Sequence, residues 1–204
     1  MSGLDLAEVI RGRRSVRRFR PEPVPRELLA ELLELAGWAP SAGNRQSWQF
    51  TAVTSPEALA RMAAAVRERW RGILEANRGH GFAAEFEKYA ATFSWFDRAP
   101  AVVVFSAREA DAIQRHMLGE AAAAAGGGAT SAAMAAQTFM LAAHARGLGS
   151  CCLTAPLAAA GELGEILALK RKREIVCLVA VGWPAEVPPA PPRRPAGETV
   201  RFVE

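Results

Sequence analysis

Two stretches of this chain leave little freedom in how it folds. "AVVVFS" at 101–106 and "EIVCLVAVGW" at 174–183 are apolar at nearly every position. Side chains alternate between the faces of a strand, so a run like this has no polar side to turn to water. It fits a strand buried in a sheet that is covered on both faces. The covering elements are legible around it. Residues 4–11 read as a short helix with Leu6, Val9 and Ile10 on one face and Gly12 as its stop. Pro25 suits the first turn of a second helix, lined by Leu28, Leu32 and Leu35, with Leu29, Leu33 and Ala36 beside them. Ser55-Pro56 opens a third, in which Leu59, Met62, Ala63, Val66 and Trp70 recur at helical spacing. A helix of small residues runs from Thr130 to Arg146 and is stopped by Gly147 and Gly149. "WQFTAVT" alternates like a strand, with Trp48, Phe50 and Ala52 on one side. Helices thus alternate with a few strands, and no repeat or linker divides 1–204. The expectation is one α/β or α+β domain.

Charge excludes some functions. With 25 Lys and Arg against 21 Asp and Glu, the net charge is +4, too mild for the basic stripe of a nucleic-acid binder. The Ala- and Gly-rich stretch 121–145 is broken by Gly126-Gly127-Gly128, Thr130, Ser131 and Gln137, so it does not read as a membrane span. "MSGLDLAEVIRG" lacks the pattern of a secretory signal. A soluble, cytoplasmic protein is expected, without membrane or nucleic-acid partner. Cys151, Cys152 and Cys177 are an odd set without a CxxC pair and are expected to be reduced thiols. His80, His116 and His144 show no metal spacing. No GxGxxG, GxxxxGK[ST] or GxSxG occurs.

Three clusters carry chemistry. "RGRRSVRRF", Arg11 to Phe19, holds five arginines. Arg13, Arg14, Ser15 and Arg17 offer planar forks and a hydroxyl that suit one phosphate; a solvated basic turn and a nucleic-acid arm are the competing readings. "WAPSAGNRQSW" places Ser41, Asn44, Arg45 and Gln46 between two tryptophans, and amide side chains suit the C=O and N–H edges of a flat heterocycle. "GLGSCCLTAP", Gly147 to Pro156, combines glycines with small residues and so exposes backbone amides.

Together and in this order, the clusters resemble the nitroreductase family of FMN-dependent oxidoreductases. That family carries "RRSVR", "APSAGNxQPW", "GLGxCW" and a "VGWP"-type strand end before a Pro/Arg-rich tail. Here these fall at Arg13 to Arg17, Ala39 to Trp48, Gly147 to Cys152 and Val181 to Pro184, and the likeness extends over about residues 4–200. The resemblance implies an α+β fold with a mixed central sheet packed by helices. It also implies an intertwined homodimer in which each C-terminal arm wraps the partner. By the same resemblance Arg13, Arg14, Ser15, Arg17 and Arg193 hold the FMN phosphate and ribityl end. Ser41, Ala42, Asn44 and Gln46 form the loop that the partner subunit lays on the flavin. Cys152, Leu153 and Thr154 run beside the isoalloxazine ring, and Ser131 is a weaker contact.

The implied activity is hydride transfer from NAD(P)H through flavin N5 to an electron-poor acceptor such as a nitroaromatic or quinone. No side chain is expected to act as acid or base. The alternatives are a flavin-fragmenting or reductively dehalogenating enzyme of the same fold that does not use NAD(P)H, and a non-enzymatic anion-binding or nucleic-acid-binding module. Ser47 stands where many members have proline, Pro191 where many have lysine, and Cys152 where the motif has an aromatic. Residues 77–96 match nothing specific. Phe82, Phe86, Tyr89 and Phe93 recur there at helical spacing, and Phe93, Trp95 and Phe96 are expected to form a lid over the acceptor. His144 and Cys152 are expected to pack, and "KRKRE" at 170–174 to be a solvated helix end.

Overall fold

The computed structural model describes residues 5–80, 87, 90, 92–110, 116–117, 119, 127–170 and 172–204. Among these are six helices: α1 (Leu6–Gly12), α2 (Arg26–Ala36), α3 (Pro56–Ala76), α4 (Gly127–Ala145), α5 (Ala160–Ile166) and α6 (Ala196–Thr199). Four strands, β1 (Trp48–Val53), β2 (Ala101–Arg108), β3 (Gly149–Leu153) and β4 (Arg173–Gly182), form a sheet in the order β1-β2-β4-β3. The two continuous apolar runs are the two central strands, which explains their composition. On one face, Val103 and Phe105 of β2 and Val179 and Val181 of β4 pack with Leu29 and Leu32 of α2 and with Phe139 and Ala143 of α4. On the other, Val102, Val104, Leu178 and Ala180 meet Leu59, Met62 and Val66 of α3 and Leu163 of α5. Each fully buried Val, Leu or Phe contributes about 1.5–3 kcal/mol, so this central pair anchors the domain.

The four strands pair antiparallel throughout, and the parallel component of the expected mixed sheet is a single bridge between Ser15 and Ser150. A bulge where Phe105 faces Cys177 but Ser106 faces Ile175 puts Ile175 and Cys177 on opposite faces. Ser106, fully buried, donates its hydroxyl to the Gln49 carbonyl at 3.1 Å.

Several local expectations are corrected. In α2 the buried stripe is Leu29, Leu32 and Ala36, while Leu35 is exposed, because the core lies one residue further round the helix. Ala52 is exposed, and Val53 is the buried end of β1. The small-residue helix begins at Gly127, earlier than Thr130. Lys172 and Arg173 lead into β4 and do not end a helix. The exposed tail bears one short helical turn, α6, directly after Pro195. Other signals held. Ser55 caps α3 by accepting from the Ala58 amide at 3.2 Å. Gly147, at φ 77°, ends α4 with the Leu148 amide returned to the Ala143 carbonyl at 2.9 Å, a conformation that glycine adopts at little cost. The helical aromatic stripe of Phe82, Phe86 and Tyr89 lies outside the described residues. No helix among the described residues is long and apolar enough to cross a membrane.

Candidate functional site

The arginine loop leaves α1 at Gly12, against α4. A side chain there would meet the His144 imidazole, since a Cβ would lie 2.8 Å from Nε2. The loop is then stapled twice. The Val16 amide donates to the Ser150 carbonyl at 3.0 Å, which fixes it to β3. Arg20 and Trp183, with Phe19 and Pro184, extend β4 alongside it. The approach to β3 is close because Gly149 has no side chain: a Cβ there would fall 2.7 Å from the Cβ of Val16. A cavity of about 220 Å³ opens beside the loop, with Arg13, Arg14, Val16, His144, Ser150 and Val187 in its wall. The Ser150 hydroxyl is buried and has no hydrogen-bond partner among the described residues.

The site's charge is one-sided. Among the described residues no acidic side chain pairs with Arg13, Arg14 or Arg17. Arg14 folds back on its own loop, donating to the carbonyls of Arg11 at 2.5 Å and Arg13 at 2.9 Å. Arg17 is exposed and donates a long hydrogen bond, 3.4 Å, to the Ser15 carbonyl. Burial, then Arg13 and Arg14, hold His144 below its ordinary pKa. Burial pushes the Cys151 thiol up, with Arg17 and the Ser15 hydroxyl pulling partly against it.

Cys152 behaves differently from the packing residue expected of it. It is exposed on β3 opposite Val179, so Cys177 is its diagonal neighbour on β4. A hydrogen bond from the Cys177 thiol, with help from Arg13 and against desolvation, lowers Cys152 to about 7. The same bond and burial push Cys177 up. Thiolate is the reactive form. Alkylation by iodoacetamide is therefore expected to select Cys152, with a rate that rises through half its limit near pH 7, while Cys151 and Cys177 stay largely unmodified. Cys177→Ala should move that midpoint upward. Peptide mapping across a pH series checks both, and equal labelling of all three thiols contradicts them.

The second cluster lies elsewhere. After a 3-10 turn at Ala42–Asn44, Asn44 and Gln46 stand at φ 51° and 45° beside Gly43 at 57°. Ser41 Oγ accepts from the Gln46 amide at 3.0 Å, and Gln46 Nε2 donates to Asn44 Oδ1 at 3.1 Å. Left-handed backbone at non-glycine residues is costly and tends to be kept at functional sites. The Ala42 amide donates to Ser131 Oγ at 3.3 Å, and the Ser131 hydroxyl donates to the Gly127 carbonyl. Ser131 is buried and supports the loop from the start of α4.

Within one chain, then, Ser41, Ala42, Asn44 and Gln46 gather at the start of α4. Arg13, Arg14, Ser15 and Arg17 gather at its end beside β3. Ser131 and His144 mark these ends, about 20 Å apart along the helix. Cys152 and Thr154 are exposed, whereas the Leu153 side chain points into the core and leaves only its backbone for a ligand. Arg193 is exposed in the tail. Phe96 corrects the expected lid: it is fully buried against α3, packed with Val66 and Met62, and cannot touch an acceptor. Phe93 lies 4.6 Å from Trp70 and Trp95 stacks 6.3 Å from Phe19, both half-buried. Sequence reasoning named Gly149 but missed its partner Val16, whose signal was an apolar residue amid arginines.

Residues 10–183 match the model of the nitroreductase family. The chain is 36% identical over 151 residues to 5,6-dimethylbenzimidazole synthase of Rhodobacter capsulatus, covering 71% of this chain and 67% of that protein. It is 30% identical over 189 residues to the 5,6-dimethylbenzimidazole synthase of Rhodospirillum rubrum, covering 93% and 85%. Its fold superposes on a BluB-like flavoprotein from Clostridium difficile with a TM-score of 0.88, covering 99% and 100% at 24% identity. The α+β sandwich with its arginine loop on β3 defines the class, and the chain belongs to the nitroreductase family.

Proposed function

We propose that the protein is an FMN-dependent oxidoreductase that passes electrons from NAD(P)H to a flat, electron-poor acceptor such as a nitroaromatic or a quinone. The observation that carries this reading is the set of guanidinium groups of Arg13, Arg14 and Arg17 at the end of α4, which pair with no carboxylate among the described residues. Arg13, Ser15 and Arg17 suit a dianionic phosphate, and Arg193 on the tail would add a further charge. When bound, the flavin supplies the two-electron chemistry. The residues of the chain bind it, orient it and shield it. Exposed backbone at Cys152 to Thr154 suits the edge of the ring, and Phe93 and Trp95 offer aromatic faces to the acceptor.

A second copy would complete the site. The outer face of α4 is an exposed row of small and apolar residues, Ala133 and Met134 with Gln137 beyond. Leu6, Ile10, Trp38 and Phe202 are also exposed. Exposed apolar residues that form a contiguous patch mark interfaces. Two α4 helices packed antiparallel about a two-fold axis place the start of one beside the end of the other. The Ser41–Gln46 loop of one chain then meets the arginine loop of its partner. Sedimentation is expected to give a dimer, against 21.8 kDa for one chain.

The similarity to 5,6-dimethylbenzimidazole synthases over most of the chain favours a second reading, in which FMN itself is consumed. One experiment separates the two. Flavin-loaded protein is mixed under air either with NAD(P)H or, with its FMN first reduced chemically, without NAD(P)H, and the FMN is recovered by chromatography. Intact FMN after many turnovers of NAD(P)H supports the first reading. Loss of about one FMN per site supports the second. A colourless protein that neither binds FMN nor oxidises NAD(P)H contradicts both.

A further inference from the structure

One turn of α3 grips two segments that are distant in sequence. Arg67 donates to Ser94 Oγ at 3.4 Å and to Asp97 Oδ2 at 3.2 Å, which ties down the 3-10 turn Trp95–Arg98. Arg69 Nε donates to the Ala158 carbonyl at 3.1 Å, and Trp70 Nε1 donates to the Ala155 carbonyl at 3.0 Å. These last two bonds hold both ends of the second 3-10 turn, Ala155–Ala159. A short 3-10 turn has few internal hydrogen bonds of its own, and its geometry is soft. Its position is therefore set by what holds its carbonyls. The indole does a second thing, since its ring lies 4.6 Å from that of Phe93 at 49°. Trp70 thus bridges the aromatic segment and the turn.

We propose that Trp70 is a positioning residue: through its bond to the Ala155 carbonyl it fixes the Thr154–Ala155 peptide against the flavin, with Arg69 as the second tether. This rests on the reading that the flavin ring lies along Cys152 to Thr154. The turn follows directly on Thr154, so a shift of the Ala155 carbonyl is passed to that peptide within a single residue. The peptide's N–H and C=O dipoles act at short range on the ring, and their alignment affects the two redox states of the flavin unequally. The phosphate end is held independently by the arginine loop on β3, so flavin retention and flavin potential are separable.

Trp70→Phe keeps the ring against Phe93 and removes only the N–H donor. The flavin-loaded dimer of this variant is expected to change the ratio of affinities for oxidised and reduced FMN about tenfold, a shift of ~30 mV for the two-electron couple. Its visible flavin spectrum should move too, with the Kd for oxidised FMN within about threefold of the parent. Arg69→Ala leaves the core untouched and should shift the potential the same way by a smaller amount, which covers the case in which Trp70→Phe folds poorly. Parental potential and spectrum in both variants, with flavin bound, overturn the proposal. A parent protein that binds no flavin fails at the earlier step, and this is read on the parent alone.

Discussion

Gly149→Ala is expected to destabilise the protein by about 1–3 kcal/mol and to strip most of its flavin. The added methyl would sit 2.7–2.8 Å from three carbons of Val16, and Val16 is itself buried and cannot swing into solvent. Crowding of this kind in a packed region costs about 1–3 kcal/mol. The backbone hydrogen bond from Val16 to Ser150 has to lengthen, and Arg13 to Arg17 move with it. A substitution that adds one uncharged carbon would thereby disable the anion site. The check is a double-mutant cycle by urea unfolding at fixed protein concentration, paired with FMN titration. Val16→Gly removes all three obstructing carbons, so the double variant should be more stable than the sum of the two single losses predicts, by about 0.5–3 kcal/mol. It should also recover part of the flavin affinity. Strictly additive losses would mean that Val16 is not what Gly149 accommodates.

The Gly149 effect also shows what kind of information sequence reading lacks. Central strands were legible because burial on both faces forces an apolar residue at every position, and β2 and β4 lie where those runs are. Caps were legible for the same local reason, since Ser55 and Gly147 answer needs within a few residues of themselves. Phe96 shows the limit. Its place just outside a helical stripe suggested a lid, but its surroundings come from α3 and β2, which no periodicity within 77–96 can report. Ser131 shows it again, because its partner Ala42 is 89 residues away. The arginine cluster was visible as charge. That Arg14 turns back on its own loop while Arg17 stays free depends on side-chain geometry, and so the residues of one motif separate into different roles.

That separation leads to the second large effect. Arg17→Ala is expected to raise the Kd for FMN about 10- to 100-fold, whereas Arg61→Ala, on the outer face of α3, changes it by less than about twofold. Both remove one positive charge, so a difference between them cannot come from net charge. Arg17 has no acidic partner among the described residues, and the hydrogen bond it makes among them is a long one to the Ser15 carbonyl. Its donors are therefore available to a phosphate, where a charge-assisted bond contributes about 1.5–3 kcal/mol, or one to two decades in Kd. Riboflavin, which shares the ring and lacks the phosphate, isolates the cause. Arg17→Ala should leave riboflavin affinity unchanged, and the preference of the parent for FMN over riboflavin should shrink by the same one to two decades. The effect should also weaken as salt rises, because Arg17 is exposed and the phosphate attraction is screened. Equal losses of FMN in Arg17→Ala and Arg61→Ala, or equal losses of FMN and riboflavin in Arg17→Ala, would mean that the loop is a solvated basic turn and that the phosphate is held elsewhere.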